Sequence, residues 1–399
     1  MLGAAALAIG ACGGEKGSAV ESGSDTLTIY SSLPLQGPDR SRSRDMVNAI
    51  KLALQDANGK IGPFSITYVS LDSATAEART WTGDQVLQNA RKAVRDLNAI
   101  AYIGDRDSAA TALSLPMTNE GDILQVSPSS TYDGLTRASR RQGEPERFYP
   151  SGERTFGRVV PADHVQASAL VGYMKASGVK RLALLADREI YGGGLADQVE
   201  KAAERQGIEV ADRGRIDARN GDLAGAAGQV AQTGADAFLF AGTTDTGAAR
   251  IFTAVAHAGP RMLLFGPAAV ADRAFLADLP VTAQRRLRVT TSALPPRLLP
   301  RSASAFRDRF RTTFGRQPAP EALQAYEAAS AVLHAIRAAG TRGNDRHAVT
   351  DQFLAIRDRD SVLGRYSIDA NGDTSLSTYA GNRVRHEEFV LDKLLKVRG

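Results

Sequence analysis

The sequence predicts an α/β protein of two lobes, each formed by a mainly parallel β-sheet with helices on both faces. Three observations support this fold class. The chain has 399 residues, which exceeds the roughly 250 to 300 residues at which one hydrophobic core usually divides. Its residues are 43% hydrophobic and 23% charged, as expected of a globular protein with a substantial core. Short apolar segments alternate with longer segments of helical periodicity, which indicates parallel strands joined by crossover helices.

The first series of elements lies in the N-terminal third of the chain and predicts the first lobe. We expect strands at 27–32, 64–71, 100–104 and 123–127. The helices between them are expected at 45–57 and 83–97. The first of these helices is expected to end at Asn58 and Gly59, because Asn and Gly adopt the left-handed backbone of a helix end at low cost.

A second series of elements predicts the second lobe. Its strands are expected at 181–186, 208–213, 237–241 and 262–266, and its helices at 165–176, 195–206, 223–233 and 246–258. Beyond residue 291 the alternation stops, which predicts helices near 303–314 and 320–339 and short strands within 365–390. The segment 137–155 is rich in Arg, Gly, Pro and Glu, and we interpret it as a surface insertion between the lobes.

The N-terminus resembles a bacterial lipoprotein signal. Residues 1–11 are small and apolar and stand directly before Cys12, the only cysteine, and a Ser/Gly-rich stretch follows. In such signals the cysteine thiol carries the lipid anchor. Residues 1–24 are therefore expected to be a signal remnant and tether that holds the protein at the outer face of the cytoplasmic membrane. The usual basic start is missing, so the true start codon is expected upstream of Met1. An unprocessed cytosolic protein is the alternative.

The charge pattern argues against nucleic-acid binding. The net charge of +5 comes mainly from arginines scattered among nearly as many acids, without interleaved aromatic residues that would stack on bases. The five histidines show no zinc-ligand spacing, and the sequence has no nucleophile elbow or phosphate-binding loop. We therefore expect no catalytic residues, no metal and no cofactor.

One segment is similar to half of a calcium loop. Asp369, Asn371 and Asp373 have the spacing of the first three ligands, but Ala380 stands where the distal glutamate would be. A β-turn between strands is the preferred interpretation.

Eight short motifs follow one another along the chain. They are Ala53-Leu54-Gln55-Asp56-Ala57-Asn58, Tyr102-Ile103-Gly104, Val126-Ser127-Pro128-Ser129-Ser130-Thr131, Tyr191-Gly192-Gly193-Gly194-Leu195-Ala196, Phe240-Ala241-Gly242-Thr243, Phe265-Gly266-Pro267, Ala325-Tyr326-Glu327-Ala328 and Ile368-Asp369-Ala370-Asn371-Gly372-Asp373. In this order they resemble the leucine/isoleucine/valine-binding branch of the type I periplasmic binding proteins.

The resemblance implies two Rossmann-like lobes joined by a hinge of three crossovers. The crossovers are expected near 156–160, 289–292 and 363–366. The first lobe then comprises 25–158 and 292–364, and the second comprises 159–291 and 365–399.

The resemblance also assigns residues to a ligand site. Ser108, Ser129 and Thr131 match family residues that hold the α-carboxylate of an amino acid, and the alternative is that they only cap helices. Tyr191 matches a tyrosine that covers the ligand, where an aromatic ring supplies contact area. A tyrosine that serves only packing is the alternative.

The sequence departs from the family where the ligand ammonium would lie. Family members that bind amino acids have a glutamate where this chain has Ala268 and a tyrosine where it has Thr244. A buried ammonium without a carboxylate is costly, so we expect an anionic or carboxylate-bearing solute unless Asp245 or Asp107 substitutes. Arg42 stands near the predicted cleft entrance, where its fork suits a carboxylate or phosphate; an exposed arginine without a ligand is the alternative.

The resemblance implies a monomeric solute-binding component of an ABC importer. The lobes would close over a small polar solute, and the closed form would dock on ABC permease subunits. The alternative is a sensor lipoprotein that signals its closure to a membrane receptor or kinase.

Overall fold

The computed structural model describes residues 25–397, so Cys12 and the predicted lipoprotein signal lie outside the described residues. Within this range the strands form two large sheets and one small two-stranded sheet. None of the described helices is long and apolar enough to cross a membrane.

The first sheet has six strands. They are β1 (Thr26–Leu33), β2 (Lys60–Ile61), β3 (Phe64–Asp72), β4 (Ala99–Gly104), β5 (Leu124–Ser127) and β6 (Phe156–Arg158). Their order in the sheet is β2-β3-β1-β4-β5-β6, and every pair is parallel except β2 with β3. The connecting helices are α1 (Arg40–Asp56), α2 (Gly83–Arg95) and α3 (Ser108–Glu120).

The next part of the chain forms most of the second sheet. Its strands are β7 (Arg181–Ala186), β8 (Glu209–Arg215), β9 (Ala237–Ala241), β10 (Leu263–Gly266) and β11 (Leu287–Thr291). The helices of this part are α4 (Asp163–Ala176), α5 (Ile190–Gln206), α6 (Leu223–Gln232), α7 (Ala248–Ala258), α8 (Arg273–Ala277) and α9 (Val281–Gln284).

The C-terminal part of the chain completes both lobes. Helices α10 (Arg301–Phe314), α11 (Pro320–Ala338) and α12 (Arg346–Leu354) contribute to the first core, and the small sheet of β12 (Arg359–Ser361) and β13 (Gly364–Tyr366) follows. Strands β14 (Thr378–Arg385) and β15 (Glu388–Lys396) then join the second sheet, whose order is β15-β14-β11-β10-β9-β7-β8. The chain thus passes between the lobes after β6, after β11 and before β14. We keep 25–158 with 292–364, and 159–291 with 365–399, as the proposed lobes.

The central strands are apolar, as expected for a parallel sheet that is covered on both faces. Every residue of β4 and of β9 is buried, and β7 and β9 have the bounds that the sequence predicts. The predicted end of α1 is also confirmed, since Asn58 and Gly59 have φ of 52° and 63°. The helix begins at Arg40 instead of residue 45, because its first turn is polar and carries no apolar periodicity.

The segment 137–155 lies mostly at the surface, as predicted, but it also has a few buried residues. Phe148, Tyr149 and Glu144 are only 3%, 5% and 6% exposed. The Tyr149 hydroxyl donates to the carbonyl of Leu135 over 2.8 Å, and the Tyr132 hydroxyl donates to Glu144 over 2.5 Å. Phe148 and Tyr149 thus anchor this segment in a small core cluster that also contains residues of α3 and β6.

A buried ionic network ties the first crossover to the third. Arg158, at the end of β6, is completely buried, and its Nε donates to Asp373 over 2.8 Å. The same guanidinium donates to the carbonyl of Tyr132 over 2.9 Å and to Thr136 over 2.6 Å. Arg137 lies on the other side of Asp373, at 2.7 Å.

The predicted β-turn before β14 is confirmed. One oxygen of Asp369 accepts the backbone N–H groups of Asn371 and Asp373, each over 2.9 Å. The other oxygen pairs with Arg137 at 2.5 Å. The carboxylates of this segment therefore shape the turn and bind arginine.

Candidate functional site

Except for Arg42, which lies in α1, the candidate residues follow the carboxyl ends of β4 and β5 in the first proposed lobe and of β7, β9 and β10 in the second. The region between these strand ends is where the cleft between the lobes is expected. The lobes touch across this cleft, since Arg42 of the first lobe pairs with Asp272 of the second at 3.2 Å. Strand ends of open parallel sheets are the usual place for ligands.

The first-lobe hydroxyls join the two loops that follow β4 and β5. The Ser129 hydroxyl donates to the carbonyl of Arg106 over 2.8 Å, and the Ser108 hydroxyl accepts the N–H of Tyr132 over 3.2 Å. The N-cap position of α3 belongs to Asp107, which makes no capping hydrogen bond. Ser108 is thus not the N-cap of α3, and the N-cap residue of this 13-residue helix makes no side-chain hydrogen bond to its first N–H groups.

The second-lobe candidates are connected by one buried amide. Tyr191 follows β7 and is half-buried. The amide nitrogen of Gln166 lies 3.5 Å from the Tyr191 hydroxyl, and its oxygen accepts the N–H of Ala268 over 2.8 Å. The Thr244 hydroxyl lies near Asp272 and the carbonyl of Ala269, at 3.0 Å and 3.3 Å, and so contacts the residue next to Ala268.

The arginines at the cleft entrance face carboxylates. Besides Asp272, Arg42 pairs with Glu321 at 3.4 Å. Arg106 pairs with Asp39 at 2.9 Å and lies 3.8 Å from Asp107. Both guanidinium groups are therefore neutralised in this arrangement, and a role for Arg42 towards a solute stays a proposal.

The two acids considered as ammonium partners lie at this entrance. Burial raises the pKa of Asp107 to about 6 against the opposing charge of Arg106, and Asp39 and Asp245 add to the rise. Asp245 itself is exposed. The charges of both carboxylates raise the pKa of Arg106.

Sequence reasoning missed three buried acids near the strand ends. Asp105 follows β4 directly and Asp187 follows β7, while Asp163 begins α4, and all three are at most 2% exposed. Burial raises the pKa of Asp105 and of Asp163 to about 7 and that of Asp187 to about 6. A polar residue directly after an apolar strand was the available signal for Asp105 and Asp187.

The burial of Asp105 predicts a pH-dependent stability. An unfolded aspartate has a pKa near 3.9, so between about pH 4 and 7 the folded state keeps a proton that the unfolded state has lost. The contribution of Asp105 is therefore complete below pH 4 and is lost as pH rises through 7, by at most about 1.4 kcal/mol per pH unit. Thermal unfolding at pH 5, 6 and 7 should show Tm falling with pH, and Asp105→Asn should reduce that slope. Parallel curves for the two proteins would contradict the assignment.

Two surface cavities lie outside the cleft. One of about 500 Å³ is lined by residues of α10, α11 and the β12–β13 sheet, among them Glu327 and Arg359, which pair at 2.7 Å. The other, of about 410 Å³, lies beside β8 and α6. Neither is lined by a candidate residue, and each belongs to one lobe.

The chain is similar to known proteins along most of its length. A family model described as periplasmic binding protein matches residues 26–382. A Pseudomonas aeruginosa protein described as an amino acid binding protein is 23% identical over 358 residues, which cover 87% of each chain.

Solved structures are similar over nearly the whole chain. The leucine binding protein LivK from Thermotoga maritima has a TM-score of 0.78 at 20% identity and covers 93% of this chain and 99% of its own. The branched-chain amino acid transporter substrate binding protein LivJ from Streptococcus pneumoniae, in complex with isoleucine, has a TM-score of 0.75 at 19% identity. The match covers 93% of this chain and 100% of its own. A solute binding protein from R. palustris, in complex with benzoate, has a TM-score of 0.74 at 19% identity. The match covers 94% of this chain and 98% of its own. These likenesses confirm the two-lobed α/β fold predicted from the sequence.

Proposed function

Because the chain belongs to the periplasmic binding protein family, we propose that it is the solute-binding component of an ABC importer and captures a small polar solute in the interlobe cleft. Members of this family work outside the cytoplasm and bind solutes without transforming them. The observation that carries the proposal is the contact between the two proposed lobes near their strand ends, where Arg42 pairs with Asp272 at 3.2 Å.

The proposed mechanism is capture by closure. A solute that contacts both lobes favours the closed form, and it shifts the equilibrium only by its differential affinity for that form. The closed form then docks on the permease subunits. We also propose that a lipid on Cys12 anchors a monomeric protein at the outer face of the membrane.

The first lobe supports a carboxylate-bearing solute. Ser108, Ser129 and Thr131 stand next to the N-terminus of α3, where N–H groups and the positive end of the helix dipole favour an anion. One relative of this fold is solved with isoleucine and another with benzoate, so the fold accommodates carboxylates with and without an amine.

Solute binding is tested by thermal stabilisation of the purified protein with a panel that pairs each amino acid with its deaminated acid. A solute at about 100 times its Kd should add about 2.7 kcal/mol to the free energy of unfolding. Ser129→Ala should reduce this gain, because Ser129 lies in the cleft. Ser302→Ala is the matched control, since Ser302 is exposed and also donates to a backbone carbonyl. A protein that no member of the panel stabilises would contradict the proposal.

A further inference from the structure

The end of the first sheet where its parallel strands begin carries exposed cations without acidic partners. Arg91, Lys92 and Arg95 lie in the second half of α2, all three are exposed, and none of them makes an ion pair with a described residue. Exposed Lys60 lies at the same end, since β2 pairs with the start of β3. The helix dipole accounts for cations in the last turn of α2, but it does not account for Lys60.

An exposed leucine follows these cations directly. Leu97 is 56% exposed, the largest exposed fraction among the large hydrophobic residues of the described chain. The backbone on both sides of it is fixed. The buried Arg346 donates to the carbonyl groups of Asp96 and Ala99 over 2.9 Å and 2.8 Å, and Asp96 accepts the N–H of Asn98 over 2.9 Å. The exposure of Leu97 is therefore built into the fold.

The N-terminal segment enters the first lobe beside this leucine. The N–H of Thr28 donates to the carbonyl of Asn98 over 2.7 Å, which places the start of β1 next to the exposed side chain. Residues 13–24 separate Cys12 from the first described residue, and a segment of this length spans at most about 45 Å. A lipid on Cys12 would therefore hold this end of the lobe close to a bilayer.

Acidic residues lower the charge of this surface without cancelling it. Asp25 and Glu120 are exposed at the same end of the sheet. Asp96 is bound within its own loop, and Asp122 lies 3.6 Å from His347. The exposed cations thus outnumber the exposed acids, and the surface keeps a positive charge.

We infer that the basic end face, formed by Lys60, Arg91, Lys92, Arg95 and Leu97, binds the surface of an anionic lipid bilayer. Each Lys or Arg beside an anionic leaflet strengthens binding about fivefold, and an apolar side chain at the headgroup boundary adds to this. A bilayer suits this face better than a soluble polyanion does, because the proposed lipid anchor leads to the same place. The carboxyl strand ends that carry the candidate site lie at the opposite end of the sheet and stay accessible.

The test uses the full-length chain with Cys12→Ser, which cannot carry a lipid, so that binding reports the folded surface. Co-sedimentation compares vesicles of phosphatidylcholine alone with vesicles that also contain phosphatidylglycerol, and the neutral vesicles measure any binding by the apolar residues 1–11. We expect binding to the anionic vesicles that weakens with salt. Lys92→Gln combined with Arg95→Gln should weaken it about tenfold or more, and Leu97→Ser should weaken it about fivefold.

Arg385→Gln combined with Lys393→Gln is the matched control. Both residues are exposed in the β14–β15 hairpin of the other lobe and make no ion pair with a described residue, so the same charge is removed away from the basic end face. Binding should stay within about twofold of the starting protein. Equal losses for the two pairs of substitutions, or equal binding to both kinds of vesicle, overturn the inference. Thermal stabilisation by the solute panel is measured on the same variants, and its failure would concern the proposed function alone.

Discussion

Replacing Arg158 with methionine is expected to lower the free energy of unfolding by about 3–5 kcal/mol, because it removes the buried partner of one Asp373 oxygen and leaves only the partly exposed Arg137 on the other. The guanidinium is completely buried, pairs with Asp373 and donates to two backbone carbonyl groups. Its loss also leaves those carbonyl oxygens without a donor. Urea unfolding followed by circular dichroism measures the change.

Arg137 provides the matched control, because it pairs with the same Asp373 but its side chain is 40% exposed. Arg137→Met should therefore cost only about 1 kcal/mol or less. Equal losses for the two variants would show that burial of Arg158 is not what makes the network stabilising.

Replacing Gly194 with alanine is expected to weaken closure of the lobes. Gly194 lies in α5 of the second lobe, and a Cβ added there would overlap the ring of Tyr132 from the first lobe. Overpacking of this kind costs about 1–3 kcal/mol, and opening of the cleft relieves it. Solute affinity should fall by about 5- to 150-fold, and small-angle X-ray scattering should give a larger radius of gyration than for the unchanged protein.

Gly228→Ala controls for the effect of alanine on a helix. Gly228 also lies inside a helix, but a Cβ there meets no atom within 4 Å. This variant should gain up to about 1 kcal/mol of stability from helix propensity and should close normally. If Gly194→Ala behaves in the same way, the Tyr132 contact does not limit closure.

The sequence predicts the sheets better than the segments whose structure depends on distant contacts. Strands β7 and β9 were predictable because burial on both faces demands uninterrupted apolar residues. The first turn of α1 was not, since Arg42 is held there by Glu321 and Asp272, and these contacts come from distant parts of the chain. The burial of the aromatic residues in 137–155 was not predicted, because the polar residues around them in the sequence indicate a surface segment.

The candidate site was predictable only as far as the family motifs reach. Asp163 and Gln166 lie on the same side of α4 as Leu170 and are buried with it. Polar residues on an otherwise apolar helix stripe were the signal, but a sequence pattern does not distinguish a buried acid from the first exposed turn of a helix. The burial of Asp163 and the contact of Gln166 with Ala268, which follows β10, depend on residues distant in sequence.

The interrupted course of each lobe dictates an order of assembly during synthesis. Strand β11 exposes a free edge until β14 pairs with it, and these strands are separated by almost the entire C-terminal part of the first lobe. The core of the first lobe is likewise incomplete until α11 is synthesised, because α11 packs against α1. A growing chain therefore carries two unfinished cores and an open sheet edge until its last strands emerge, which favours slow folding and exposes the chain to aggregation.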